Sequence, residues 1–245
     1  MNIQEVKNLK KISAFYGGFA IFTTTDDKEG LVNRKGEVII PAEKYEMIFH
    51  HCDDIFSLYT KKEDGSISVT SYFDAKLGKE VEDPKLPTTP KRELPEFAKE
   101  YSDAYWCADK RIAFKEGELY GIMDEKGNVI VAPSFTWIQY SHPYGYKNTR
   151  INVKKDGLQG YLDFDGKVVI PIIYPFVSHT KSLHIHKFHD KENKWGIMDE
   201  KGQIIIPAHY DAIDARETHG LDEIAVTKDG RCYFINAKQE EVKVF

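Results

Sequence analysis

The sequence predicts an all-β protein of about six β-hairpin repeats closed into a propeller-like ring, with an open β-solenoid as the alternative. Three observations carry this. One segment, Lys194 to Ile213, is rewritten several times along the chain. The copies recur at roughly the length of a propeller blade, with Gly121, Gly160 and Gly196 lying 39 and 36 residues apart. The two chain ends read as complementary halves of one unit.

Each copy, KWGIMDEKGQIIIPAHYDAI in its fullest form, is a hairpin with an anchored exit. Ile197 and Met198 lead into Asp199-Glu200-Lys201-Gly202, where Asp and Gly supply the side-chain bonds and positive φ of a tight turn. Gln203 to Ile206 is too short for a helix and rich in β-branched residues, so it is a buried return strand. Pro207 lacks a ladder donor and is expected to end central pairing. Tyr210 and Ile213 then anchor the exit, and Trp195 and Tyr210 are expected to fill space between strands. The other copies are YGIMDEKGNVIVAPSFTWI from Tyr120, QGYLDFDGKVVIPIIYPFV from Gln159 and EGLVNRKGEVIIPAEKYEMI from Glu29.

In chain order, a further strand precedes each hairpin: Phe19–Phe22, Arg111–Phe114, Arg150–Val153, Leu183–His186 and Glu223–Val226. The gap from Gly30 to Gly121 is too long for one unit, and Ser71–Val81 fits a degenerate copy with Pro84 in the place of the strand-ending proline. DPKLPTTPKRELP follows as an extended surface loop, and Pro95–Glu100 reads as a single helical turn with proline at its start. This Pro-rich insertion, at about 84–100, interrupts one unit of a single domain spanning residues 1–245. The C-terminus, Cys232–Val242, is a hairpin half; Leu9–Ile12 and Phe19–Phe22 supply the other half, so strands near Phe19 and Tyr233 are expected in one sheet.

The Trp-Gly pair Trp195-Gly196, the Asp-x-x-Gly turn, the Ile-Ile-Pro strand end and the Tyr-Asp-x-Ile anchor together resemble the WG (KWG) β-repeat proteins. Tyr120, Gln159 and Glu29 replace the Trp in the other copies. The resemblance implies a binding or scaffold module and brings no catalytic residues.

Composition narrows the function classes. Charged residues make up 30% and aromatics 13%, with a formal net charge of −5, so there is no global pull towards nucleic acid or an anionic membrane. No apolar run has the ~18 residues of a membrane helix, and the N-terminus lacks a secretory apolar stretch. A cytoplasmic protein is expected, with Cys52, Cys107 and Cys232 as free thiols.

Metal chemistry has weak candidates only. His184, His186 and His189 have spacing that can meet Zn²⁺ or Cu²⁺, but no Cys lies nearby, and the solvent face of a strand is the expected place for them. His50-His51-Cys52 points to alternate faces. The turns Asp124–Gly127, Asp163–Gly166 and Asp199–Gly202 offer too few oxygens for Ca²⁺. No phosphate loop or nucleophile elbow is present, so neither a catalytic residue, a cofactor nor a resident metal is expected.

Two departures from the repeat point to binding. Trp137 to Tyr146 adds residues and aromatics: Trp137 and Ile138 are expected in the core, Tyr140, Tyr144 and Tyr146 on a binding surface. Lys91 and Arg92 sit in the insertion, away from any repeat position. The leading expectation is a non-enzymatic protein-protein interaction module or scaffold, one form of which would neutralise a partner protein. The alternative is a carbohydrate or small-ligand binder using Tyr and Trp.

Overall fold

The computed structural model describes residues 1–84, 92–140, 150–180, 183–215 and 220–244. The described residues form six four-stranded antiparallel sheets, each a run of consecutive strands. Sheet 1 holds β1 (Leu9–Ile12), β2 (Phe19–Thr24), β3 (Glu29–Asn33) and β4 (Val38–Tyr45). Sheet 2 holds β5 (Met47–Cys52), β6 (Ile55–Lys61), β7 (Ile67–Asp74) and β8 (Lys79–Val81). Sheet 3 holds β9 (Ala104–Ala108), β10 (Arg111–Glu116), β11 (Leu119–Asp124) and β12 (Val129–Phe135). Sheet 4 holds β13 (Trp137–Ile138), β14 (Ile151–Lys155), β15 (Leu158–Leu162) and β16 (Val168–Tyr174). Sheet 5 holds β17 (Phe176–Thr180), β18 (Ile185–His189), β19 (Trp195–Asp199) and β20 (Ile204–Tyr210). Sheet 6 holds β21 (Ala212–Asp214), β22 (Ile224–Lys228), β23 (Arg231–Ile235) and β24 (Glu241–Val242).

The repeat motif now has a physical account. In β19 and β20, Trp195 pairs with Tyr210 and Ile197 with Ile206, so the longer Ile206–Tyr210 arc bulges opposite Gly196. A Cβ on Gly196 would lie 2.6 Å from the Ile206 carbonyl oxygen and 2.9 Å from the Ala208 nitrogen. Gly121 and Gly160 face the same obstruction, at 2.7 Å from the Val131 oxygen and 2.6 Å from the Ile170 oxygen. Only glycine admits the bulge. The proline expected to end the strand lies inside it: Pro41, Pro133, Pro171 and Pro207 sit within β4, β12, β16 and β20. These strands are sheet edges, where a missing donor costs no ladder bond.

The turns form as expected. Asp199 Oδ1 accepts from the N–H groups of Lys201 (2.8 Å) and Gln203 (2.8 Å), and Gly202 takes φ +82°. Asp124 and Asp163 repeat the arrangement, as do Asn33, Asp190 and Asn236. Their side chains therefore serve their own turns.

Apolar clusters join neighbouring sheets. Leu31 and Ile40 of sheet 1 pack with Ile48, Phe56 and Leu58 of sheet 2. Sheets 3 and 4 share Ile122, Ile138 and Val153; sheets 4 and 5 share Tyr161, Val177 and Met198; sheets 5 and 6 share Ile197, Ile206 and Ile224.

The chain ends meet, but differently from the expected shared sheet. β2 belongs to sheet 1 and β23 to sheet 6, because Val242 pairs with Phe234 and supplies sheet 6 with its own fourth strand. The two sheets meet face to face instead. Phe15 stacks on Phe234 at 5.6 Å, Arg34 holds Glu223 through two hydrogen bonds of 2.8 and 3.2 Å, and the Ala14 N–H donates to Asp214 at 3.1 Å.

Sheets 2 and 3 relate otherwise. Among the described residues no apolar cluster, hydrogen bond or ion pair joins them. The face of sheet 3 carrying Ile112, Phe114 and Met123 is covered by Leu94, Phe97, Ala98 and Tyr101 from the insertion. The expected helical turn is a 3₁₀ turn at Glu96–Glu100, preceded by Pro95.

Candidate binding cavities

Two cavities lie along the first strands of the sheets. The larger, about 720 Å³, is lined from four sheets, by β1, β5, β17 and β21 with neighbouring residues. Phe49 on β5 projects into it and is 50% exposed. Trp195 lines it too, half-buried, with its ring 5.6 Å from Phe176 and 5.1 Å from His189. Trp195 packs between strands against the core cluster of sheets 5 and 6, as expected, but stays half-buried with one side on this cavity, whereas Tyr210 is buried. A partly desolvated ion pair, Lys187 Nζ to Asp214 Oδ1 at 2.9 Å, stands in the same wall. Nearby, Glu29 accepts from the Ile48 N–H at 2.7 Å, and burial raises its carboxyl above the ordinary range.

The smaller cavity, about 380 Å³, lies between sheet 4 and β17. Its walls carry Trp137, Gln139, Arg150, Asn152, Gln159 and Phe176. Trp137, expected in the core, is 43% exposed here, while its neighbour Ile138 is fully buried. Two residues leave β13 on opposite faces, and the sequence alone does not say which face packs. Asn152 is only 4% exposed; its Nδ2 donates to the Val177 carbonyl at 3.0 Å, and its Oδ1 has no hydrogen-bond partner. The Gln159 Oε1 accepts from the Val177 N–H at 3.3 Å. Arg150 donates through Nη1 to the Glu200 carbonyl.

The three histidines do not converge as a ligand set. β18 begins at Ile185, one residue later than a His184–His186 strand face requires. His184 precedes it with φ +52° and meets Glu200 Oε1 at 3.1 Å. His189 stacks on Phe176 at 5.7 Å. His186 is fully buried, against the expected solvent face, and packs on Tyr161 (4.6 Å) and His179 (4.7 Å). Burial, reinforced by His179 and Arg150, pulls its imidazole down to about 3. The grouping of Arg150, Asn152, Tyr161, His179, His186 and Glu200 left no local signal, because it is gathered from two sheets. Among the described residues no group of His, Cys, Asp and Glu is arranged to hold a metal ion.

Of the expected binding-surface residues, Tyr140 is 48% exposed with its ring 5.7 Å from Tyr105. The Arg92 guanidinium lies 3.5 Å over the Trp106 ring and reaches Asp109 (3.5 Å) and Glu125 (3.6 Å). Lys91, Tyr144 and Tyr146 lie outside the described residues. His50 stacks on Tyr16 at 4.5 Å and His51 sits 5.1 Å from Tyr72, so that pair diverges. Burial pushes the Cys107 thiol up to about 12, which marks it as an inert core residue.

Comparison with known proteins gives the motif a family. The WG containing repeat matches residues 30–50, 120–158 and 195–232, so the chain carries that repeat in three stretches. No curated protein matches the chain. Solved structures similar to it include Hsv2 of Kluyveromyces lactis, at 11% identity and a TM-score of 0.37, over 96% of this chain and 77% of that one. The β-propeller domain of Cps50 (Swd1) of Myceliophteria thermophila is similar at 11% identity and a TM-score of 0.37, over 97% and 85%. The computationally designed Ika8 protein is similar at 11% identity and a TM-score of 0.32, over 97% and 74%.

Proposed function

We infer that this chain, built on WG-containing repeats, is a non-catalytic module that binds a segment of a partner protein. The observation carrying this reading is the 720 Å³ cavity lined from four sheets, with Phe49, Phe176 and Trp195 beside the Lys187–Asp214 pair. Aromatic anchors beside a desolvated charge pair suit an inserted apolar side chain with backbone polar groups around it. Phe49, half-exposed beside Phe176 and Trp195 in the same wall, gives such a partner apolar surface to cover. Tyr140 and Arg92 are proposed as further partner contacts away from the cavity, together with Tyr144, Tyr146 and Lys91, which lie outside the described residues. The net charge of −5 favours a protein partner over nucleic acid or membrane, in a cytoplasmic setting. Among the described residues no helix is long and apolar enough to cross a membrane.

Capture from a native lysate followed by mass spectrometry, then titration of the purified partner, tests this. Phe49→Ala is expected to weaken binding at least tenfold, about 1.4 kcal/mol, without unfolding the module. Equal affinity of the variant and the parent chain would remove the cavity from the interface.

A further inference from the structure

The chamber between sheet 4 and β17 has features that a protein segment does not require. Asn152 Oδ1 is an acceptor buried at 4% exposure that makes no hydrogen bond of its own, although the Tyr161 hydroxyl interacts with the same side chain, and its unused acceptor capacity is costly unless a donor arrives. Around it stand Gln139 and Gln159, the latter with its Oε1 already engaged, which leaves its amide NH₂ for a ligand acceptor. Arg150 lines the chamber, and among the described residues no carboxylate does. Trp137 and Phe176 give the remaining wall flat apolar surface. Flat rings combined with amides, one cation and one unmet acceptor match a hydroxylated ring better than a purely apolar molecule.

We propose that this chamber binds an acidic monosaccharide. A hydroxyl donates to Asn152 Oδ1, the carboxylate accepts from Arg150 and the glutamine amide, and the C–H face of the sugar ring lies on Trp137. The volume of about 380 Å³ suits one sugar ring rather than a long oligosaccharide held end to end. Phe176 and Ser178 line both this chamber and the larger cavity, but Trp137 lines only this one and Phe49 only the other, so variants at those two positions test the readings separately.

The test is calorimetric titration of the full chain with glucuronate, its methyl glycoside and glucose. Saturable glucuronate binding is expected, with glucose at least tenfold weaker because it brings no carboxylate to Arg150, whose charge is otherwise shared with the nearby Glu200. If the methyl glycoside matches the free acid, the natural source is a glycan end; if it does not bind, the source is the free sugar acid. Trp137→Ala should weaken glucuronate at least tenfold, while its exposure keeps the melting temperature near that of the parent chain. Gln139→Leu provides a second variant that leaves the aromatic wall intact, and it should also weaken binding. Absence of saturable binding by either glucuronate form, equal affinities for glucose and glucuronate, or unchanged affinity in both variants would overturn the proposal.

Discussion

At His186 an imidazole is enclosed with neither ring nitrogen hydrogen-bonded, and this ties stability to pH. Its ordinary value of 6.5 falls to about 3 in the folded chain. Between those values the unfolded chain binds the proton and the folded chain does not, so stability is lost as pH falls below 6.5. The slope for one such group is about 1.4 kcal/mol per pH unit. The charged and titratable groups around it are His179, Arg150, Glu200 and Asp199. Burial pushes Glu200 up, but His184, Arg150 and His179 outweigh it and hold the carboxyl low, so its contribution is lost only at more acidic pH. Urea melts between pH 6.5 and about 5 should therefore show a falling stability that His186→Leu flattens. Parallel slopes in parent and variant would assign the acid sensitivity elsewhere. The sequence placed His186 on a solvent face because alternation marks two faces without saying which is wet. In this fold both faces of sheet 5 pack against neighbours, so the cue carried no information there.

At the scale of the element, the insertion substitutes for a neighbouring sheet. Tyr101 packs 4.8 Å from Phe114, and Leu94, Phe97 and Ala98 join it over the face of sheet 3. Tyr101→Ala should then cost about 1–3 kcal/mol, whereas Lys99→Ala, on the exposed side of the same 3₁₀ turn, should stay within about 0.5 kcal/mol. Thermal melts of the two variants decide it, and equal shifts would mean the turn is not a cover. The helical turn itself was legible, since proline precedes it in the sequence. Its role was not, because nothing local to Pro95–Glu100 says that sheet 2 leaves this face to it. The Asp-x-x-Gly turns were legible in full, as their hydrogen bonds close within five residues. Pro207 was read as a strand end because a sequence shows a missing donor but not whether the strand is an edge.

The molecule as a whole has its covalent break and its packing break in different places. The unit count was legible from the copies, but the cut between units was not, because a repeated sentence can be divided at any word. The structure divides it after the anchor's aromatic, so Tyr45, Phe135, Tyr174 and Tyr210 end sheets 1, 3, 4 and 5. As a result the chain termini fall where packing is dense: Ile3, Phe15, Phe22, Ala225 and Phe234 form one cluster, with Val242 and Val244 against it. Sheets 2 and 3, which flank residues 84–92 in the sequence, in contrast share no cluster among the described residues. A circular permutant follows from this asymmetry: a short Gly/Ser linker joins Phe245 to Met1, and new termini open at a bond between Pro84 and Arg92. Ile3 and Val244 line one small pocket together, so a few linker residues suffice. The permutant should fold cooperatively with a melting temperature within a few degrees of the parent, since domain ends tolerate relocation where few contacts cross. Opening the chain instead between Lys228 and Arg231, in the tight turn of sheet 6, should destabilise it markedly, because β22 and β23 pair there residue by residue. If the first permutant fails to fold and the second succeeds, the sheet 2 to sheet 3 passage is a structural joint and the termini are the free edge.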